Sequence, residues 1–210
     1  MLVGRIRNAR YCTALFIALI AYAQDSAQTV TPAVRLKAFT PMTAGTKVEY
    51  NLIHSVQPTD FFQTALGSGL AQWRDSPYEW GQGWDAYGTR YGSRFAQHLV
   101  KRAIITATQV IDGEDPRRIR SERTKLWHRT QDAVKYTFVS RRDDGSRGFA
   151  YSRVIGAYAG GFISRAWHPS RLHTFPEGLS AGTISLGVET GMSVLNEFMP
   201  DILRKLRLRR

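Results

Sequence analysis

Residues 85–111 read DAYGTRYGSRFAQHLVKRAIITATQVI, and this stretch decides the fold class. Tyr87, Tyr91 and Phe95 fall on successive turns of one helix face, a spacing that is typical of an amphipathic α-helix. The pattern therefore predicts one long helix across these residues.

Small residues form a line at spacing four within this predicted helix, at Gly88, Gly92 and Ala96. A glycine inside a helix costs about 1 kcal/mol relative to alanine, so repeated glycines suggest that a second helix packs closely against them. Two later segments share this spacing, in the pairs Gly156 and Gly160, Ala157 and Gly161, Gly178 and Gly182, and Gly187 and Gly191. We therefore expect several helices in close contact.

Five further helices are predicted, over residues 43–55, 59–73, 117–140, 149–167 and 178–199. Val48, Leu52 and Ile53 mark the apolar face of the first of these helices. Thr59 or Asp60 is expected to cap the second helix, because short polar side chains accept hydrogen bonds from the free amides of a helix start.

The breaks between these segments support a helical chain. Asp144-Gly145 predicts a turn, and Pro200 predicts an interruption of the last helix. Strand signals are weak, since alternating β-branched runs are few. The sequence thus predicts an all-α fold, a single helical bundle domain over residues 43–203 with close-packed, glycine-containing helices.

The amino-terminal 23 residues have the three parts of a secretory signal peptide. Arg5, Arg7 and Arg10 precede a short apolar run over residues 13–22, and the segment ends in Ala21-Tyr22-Ala23. The alternative is a permanent membrane anchor, which would need about 20 apolar residues. We expect cleavage after residue 23 and export to the periplasm or outer envelope, with residues 24–42 as a linker and residues 204–210 as a basic tail.

Cys12 is the only cysteine, so the mature chain would have none. It could then form neither a disulfide nor a cysteine-ligated zinc site.

The chain is strongly basic, with a net charge of +12, or +9 once the three leader arginines are removed. Because an exported protein does not meet nucleic acid, we expect no nucleic-acid partner. An anionic lipid or cell-envelope polymer would attract such a chain. The candidate residues for binding an anionic surface are Arg117, Arg118, Arg120, Arg123, Lys125, Arg204, Lys205 and Arg207. The alternative is a solvated helix face and a frayed terminus.

Candidates for catalysis are weak and centre on Gly113-Glu114-Asp115-Pro116-Arg117. Glu114 and Asp115 could do acid–base work, with Arg117 and His128 as further candidates. The favoured alternative is that Asp115 caps a helix that starts at Pro116.

Two other motifs predict no site. Residues 178–182 match G-x-S-x-G, but no histidine follows Ser180, as the order of a hydrolase triad requires. His168 and His173 flank a loop without a clear third ligand. We therefore predict no metal and no cofactor.

Aromatic residues and glycines concentrate around Gly81-Gln82-Gly83, beside Trp80 and Trp84. Such a segment can form a platform for sugar or lipid. We favour a packed loop that covers one end of the bundle.

Several short motifs together resemble a group of exported bacterial proteins of unknown function that is common in soil acidobacteria. The motifs, in order, are Gly81-Gln82-Gly83, Tyr87-Gly88, Arg90-Tyr91-Gly92, Asp115-Pro116-Arg117, Asp144-Gly145, Asn196-Glu197-Phe198 and Pro200-Asp201. The resemblance covers about residues 43–202, and the order of the motifs is its specific part. Arg118 stands where an aromatic residue often follows in that group. The resemblance implies export and a single domain, and it names no activity.

Three functions remain open from the sequence. The first is an exported envelope protein of unknown biochemistry that is peripheral to an anionic membrane surface. The second is an envelope hydrolase or lipid-modifying enzyme. The third is a membrane-embedded helical bundle held together by its lines of glycines.

Overall fold

A computed structural model describes residues 39–207, with side chains through residue 205. The predicted signal peptide and most of the predicted linker lie outside the described residues. The fold is all-α, as predicted, and its α-helices are α1 (Ala44–Ile53), α2 (Pro58–Trp73), α3 (Trp84–Ile111), α4 (Leu126–Phe138), α5 (Tyr151–Ser164) and α6 (Phe175–Arg207). Short 3-10 turns cover Tyr78–Trp80, Arg165–Trp167 and Ser170–Leu172, and one hairpin pairs β1 (Val139–Arg141) with β2 (Arg147–Phe149).

The centre of the bundle is formed by α3, α5 and α6, which approach closely at glycines. A Cβ atom added at Gly156 would lie 2.4 Å from Cγ1 of Ile105, and one at Gly161 would lie 2.7 Å from the backbone nitrogen of Gly182. These distances are far inside van der Waals contact, so a larger side chain would force the helices apart. The predicted close contact is confirmed along α5 and the first turns of α6.

Close packing was wrongly predicted at the other small-residue lines. A Cβ atom added at Gly88, Gly92, Gly187 or Gly191 would meet nothing within 4 Å. Spacing alone does not tell which face of a helix is covered, so the same pattern occurs at a packed face and at an open one.

The helix α2 begins at Pro58, one residue before the predicted start at residue 59. Pro58 is the first helical residue and Gln57 is its N-cap. Asp60 lies three residues after the cap, where its carboxylate accepts a hydrogen bond from the amide of Gln57 at 3.0 Å. Asp60 therefore stabilises the helix start from inside the first turn, and the prediction that Thr59 or Asp60 is the cap was wrong.

The predicted helix over residues 117–140 is much shorter in the structure, because α4 begins only at Leu126. The chain before it lies alongside the hairpin. The Asp115 amide donates to the Arg141 carbonyl at 2.7 Å, and the Asp143 amide donates to the Gly113 carbonyl at 2.9 Å. Within residues 117–125, the amides of Arg117 and Arg123 donate to the side chains of Asp115 and Ser121, and such local bonds compete with a helix. The turn predicted at Asp144-Gly145 connects the two strands.

The last helix is longer than predicted, since α6 runs through Pro200 to Arg207. The predicted interruption at Pro200 was therefore wrong. Residues 204–207, which were predicted to begin a basic tail, are helical. The final three residues lie outside the described part of the chain.

The short helix α1 packs with the face opposite to the predicted one. Lys47 and Asn51 are buried, whereas Val48, Leu52 and Ile53 are exposed. Leu52 is 70% exposed and Lys47 only 2% exposed. This reversal recurs elsewhere in the bundle.

Candidate functional site

Large apolar side chains cover much of the outside of the bundle. Leu52, Leu66 and Ile184 are each more exposed than not, at 70%, 58% and 65%. We call the following set the apolar outer surface: Val48, Leu52, Ile53 and Val56 at α1, Phe61, Leu66, Leu70 and Trp73 on α2, and Leu179, Ile184, Val188, Leu195 and Ile202 on α6. A typical monomer in water exposes such residues singly, so their abundance on several helices marks an interaction surface.

Charged side chains are buried in the interior instead. The buried charged residues of the described chain are Lys47, Asp60, Arg90, Glu114, Asp115, Asp132 and Glu197. The buried apolar residues are mostly alanine, with Ile105 and Leu172 as the large ones. Buried charges are rare in globular proteins unless they are paired. The bundle therefore has a polarity opposite to that of an ordinary water-exposed domain.

One buried cluster joins α1 to the carboxyl end of α3. The Lys47 ammonium donates to the Asp143 carboxylate at 2.7 Å and to the Gln109 carbonyl at 3.3 Å. The Asn51 side-chain amide donates to Oε1 of Gln109 at 2.8 Å. These bonds explain why the polar face of α1 points inward.

Glu114 and Asp115, the predicted acid–base candidates, are both buried beside this cluster. The Glu114 carboxylate accepts from the Ser152 amide at 3.1 Å and from the Ser152 hydroxyl at 2.7 Å. The Asp115 carboxylate accepts from the Arg117 amide at 2.8 Å and from Nη2 of Arg117 at 2.5 Å. Asp115 precedes no helix, so the predicted helix cap was wrong.

Charges near Asp115 shift the pKa values of its neighbours. The pKa of Tyr50 is raised, mainly by burial and further by the negative charge of Asp115. The pKa of Arg117 is raised, chiefly because its guanidinium donates to Asp115. The first shift is therefore mainly an effect of burial, and the second is an effect of the ion pair with Asp115.

His128 does not join the other catalytic candidates. It lies on α4 and lines a shallow surface depression with Glu122, Arg123, Thr124 and Lys125. Both carboxylates are fully occupied by hydrogen-bond donors of the protein itself. Glu114, Asp115 and Arg117 therefore belong to a structural network, and His128 is a separate surface residue. The four candidates do not converge on one centre.

Three of the eight predicted anion-binding residues have partners within the protein. Arg117 pairs with Asp115, Arg118 donates from Nη2 to the Ser193 carbonyl, and Arg123 lies 3.4 Å from Asp132. Four others are exposed and form no ion pair with another residue of the described chain: Arg120, Lys125, Arg204 and Lys205. Arg207 is the last residue of α6.

An acidic face of α6, which the sequence analysis missed, forms ion pairs with lysine and arginine side chains of three other helices. Glu189 lies 2.7 Å from Nζ of Lys101 on α3 and 3.8 Å from Nε of Arg153 on α5. Arg129 on α4 lies 3.2 Å from Glu197 and 2.6 Å from Asp201. The spacing of these three acids, eight and four residues apart, places them on one helix face and could have revealed it.

The loop between α2 and α3 is closed by the buried Arg90. Its guanidinium donates to the carbonyls of Ser76, Pro77 and Gly81 at 3.1, 2.7 and 2.8 Å, and to Oε1 of Gln72 at 2.6 Å. The backbone of this loop is packed, as favoured, while the side chains of Tyr78 and Trp84 are exposed.

Four of the five tryptophans lie at this end of the bundle. Trp73 ends α2, Trp84 begins α3, and Trp80 lies in the loop between them. The Trp80 ring packs on His168, with 5.1 Å between ring centroids, and Trp167 comes just before that histidine. Trp73 and Trp84 are 80% and 84% exposed. We call this region the aromatic end.

No known protein family, curated protein or solved structure matches the chain. Within residues 39–207, none of the helices combines the length and the apolar character needed to cross a bilayer. The resemblance to exported acidobacterial proteins stays a prediction.

Proposed function

We propose that the protein is an exported, membrane-binding helical bundle of the cell envelope, whose apolar outer surface contacts lipid. The observation that carries this proposal is the reversed polarity: large apolar residues outside, and paired charges inside. In contact with acyl chains, exposed apolar side chains cost nothing, whereas a charge gains by lying inside the bundle next to a partner.

Three features favour lipid, rather than a protein partner, as the ligand of the apolar outer surface. The exposed apolar residues lie on α1, α2 and α6 rather than in one bounded patch. Tryptophan is enriched where a protein meets the interface of a membrane, and Trp73 and Trp84 are both exposed at the aromatic end. The exposed cations Arg204 and Lys205 on α6 would add attraction to anionic head groups.

Flotation of the full chain with phosphatidylcholine vesicles tests this proposal. We expect the wild-type protein to float with the vesicles. The variant Ile184→Gln with Val188→Gln should bind at least about tenfold more weakly, since two half-exposed apolar side chains each contribute about 1 kcal/mol of transfer free energy.

The matched control is Ser180→Gln with Asn196→Gln, which changes exposed polar residues of the same helix. It should float like the wild type. The proposal fails if the wild-type chain stays in the aqueous fraction as a monomer, or if it forms a stable oligomer that ignores vesicles.

A further inference from the structure

Two arginines and a histidine lie together where α5 ends against α3. Nε1 of Trp167 donates to the Ser93 hydroxyl at 3.0 Å, and Nε2 of His168 lies 3.5 Å from the same oxygen. These contacts hold the turn that contains Arg165 against α3, whose next residue after Ser93 is Arg94. We call Arg94, Arg165 and His168 the basic cluster.

The charges of this cluster act on one another. Burial, together with the positive charges of Arg165 and Arg94, lowers the pKa of His168 to about 4. Although Arg94 is an exposed residue, the pKa of its guanidinium is lowered by local desolvation and then by the charge of Arg165. Like charges held this close repel each other unless an anion lies between them.

The donors of the cluster are incompletely used. The Arg94 side chain makes no hydrogen bond or ion pair with any other described residue, and the buried Nε of Arg165 has no acceptor. Arg165 donates only from Nη2, to the Ser164 hydroxyl at 3.3 Å. By contrast Arg90, one helical turn away on α3, has a carbonyl or amide oxygen for each of its nitrogens.

The Arg94 side chain packs against α2. The Arg94 guanidinium lies over Gly67, with Nη1 3.2 Å from the position of an added Cβ atom. Buried polar groups are nearly always satisfied in native proteins, so the unpaired buried Nε of Arg165, next to the open guanidinium of Arg94, indicates an anion that accepts from both.

We propose that Arg94 and Arg165 bind a phosphate group. Guanidinium groups match the geometry of phosphate oxygens with paired hydrogen bonds. The proposal rests on the proposed membrane association, since the neighbouring aromatic end would place this site at the level of lipid head groups. The same chemistry would also accept free inorganic phosphate.

Flotation with two kinds of vesicle tests the site in the full chain. One kind contains phosphatidylcholine alone, and the other also contains phosphatidic acid, whose phosphate carries no choline. We expect the wild type to prefer the phosphatidic acid vesicles about tenfold. Arg94→Gln with Arg165→Gln should lose this preference and still float with phosphatidylcholine.

Lys135→Gln with Arg147→Gln is the matched control, because it removes the same charge from exposed positions outside the cluster. It should keep most of the preference. If the Arg94 and Arg165 variant keeps the wild-type preference, the proposed site is overturned. If neither the wild type nor any variant floats with either kind of vesicle, the result counts against the proposed function instead.

Thermal unfolding with inorganic phosphate separates the two sources of the ligand. If phosphate raises the wild-type melting temperature but not that of the variant, the cluster binds free phosphate. If phosphate has no effect and the lipid preference depends on Arg94 and Arg165, the ligand is a lipid head group. If neither phosphate nor phosphatidic acid distinguishes the wild type from the variant, the proposal is wrong. The melting temperature without ligand also reports whether each variant folds. Removing two like charges should not lower that temperature.

Discussion

Individual charged residues in the interior are stabilised by partners rather than by water. Lys47 and Glu114 are almost completely buried, and each has at least two hydrogen-bonding atoms in reach. A buried charge without a partner costs several kcal/mol, while a paired one costs much less. At the residue scale, this pairing offsets the cost of burying charges in a bundle with reversed polarity.

Acid should destabilise the fold through His168. Its pKa is about 4 in the folded protein, below the ordinary value, mainly because the ring is buried. The unfolded chain therefore binds more protons between about pH 6.5 and pH 4, so stability falls as the pH decreases through that range. Urea unfolding at a series of pH values should show this loss, and His168→Gln should reduce it.

His98 is a second contributor to the same dependence. Its pKa is also lowered, first by burial, with opposing effects from Asp60 and from nearby cations. We therefore expect His98→Gln to remove a separate part of the slope, and the double variant to be the flattest. An unchanged slope in the double variant would show that other groups control acid sensitivity.

At the scale of the helix, glycines divide into two kinds that the sequence does not distinguish. Gly161 faces the backbone of α6, whereas Gly187 faces open space. Gly161→Ala should destabilise the protein by about 1–3 kcal/mol, because the new methyl group overlaps Gly182. Thermal or chemical unfolding measures the difference.

Gly187→Ala is the control for this effect, since it makes the same chemical change at an open position. It should be neutral or stabilise by up to about 1 kcal/mol, as alanine is the better helix former. Equal effects of the two substitutions would contradict the close contact between α5 and α6.

Helix positions were predictable because the signal is local. The periodicity of residues 85–111 and the turn at Asp144-Gly145 reside in the chain itself. The shortened α4 was missed because the side chains of Asp115 and Ser121 accept hydrogen bonds from the amides of Arg117 and Arg123, and these bonds compete with a helix there. The end of α6 was missed because packing against α4 through Arg129 continues the helix past Pro200.

At the scale of the whole molecule, reversed polarity could not be read from periodicity. An amphipathic helix has two faces, and the pattern Val48, Leu52, Ile53 does not say which face meets other helices. Ion pairs between helices decide it here, because Lys47 on α1 reaches Asp143 and Lys101 on α3 reaches Glu189. Of the predicted site residues, Glu114, Asp115 and Arg117 lie together, and their hydrogen bonds are made within the protein.

Spin labels on the outside of the bundle test lipid contact most directly. In the full chain with Cys12→Ser, a nitroxide attached at Ile184→Cys would be compared with one at Glu122→Cys, both of which replace exposed residues. The samples are the proteins bound to phosphatidylcholine vesicles. We predict that the label at residue 184 collides mainly with oxygen dissolved in lipid, and that the label at residue 122 collides mainly with a water-soluble nickel chelate. Equal access of the nickel chelate to both labels would contradict the claim that lipid covers the apolar outer surface.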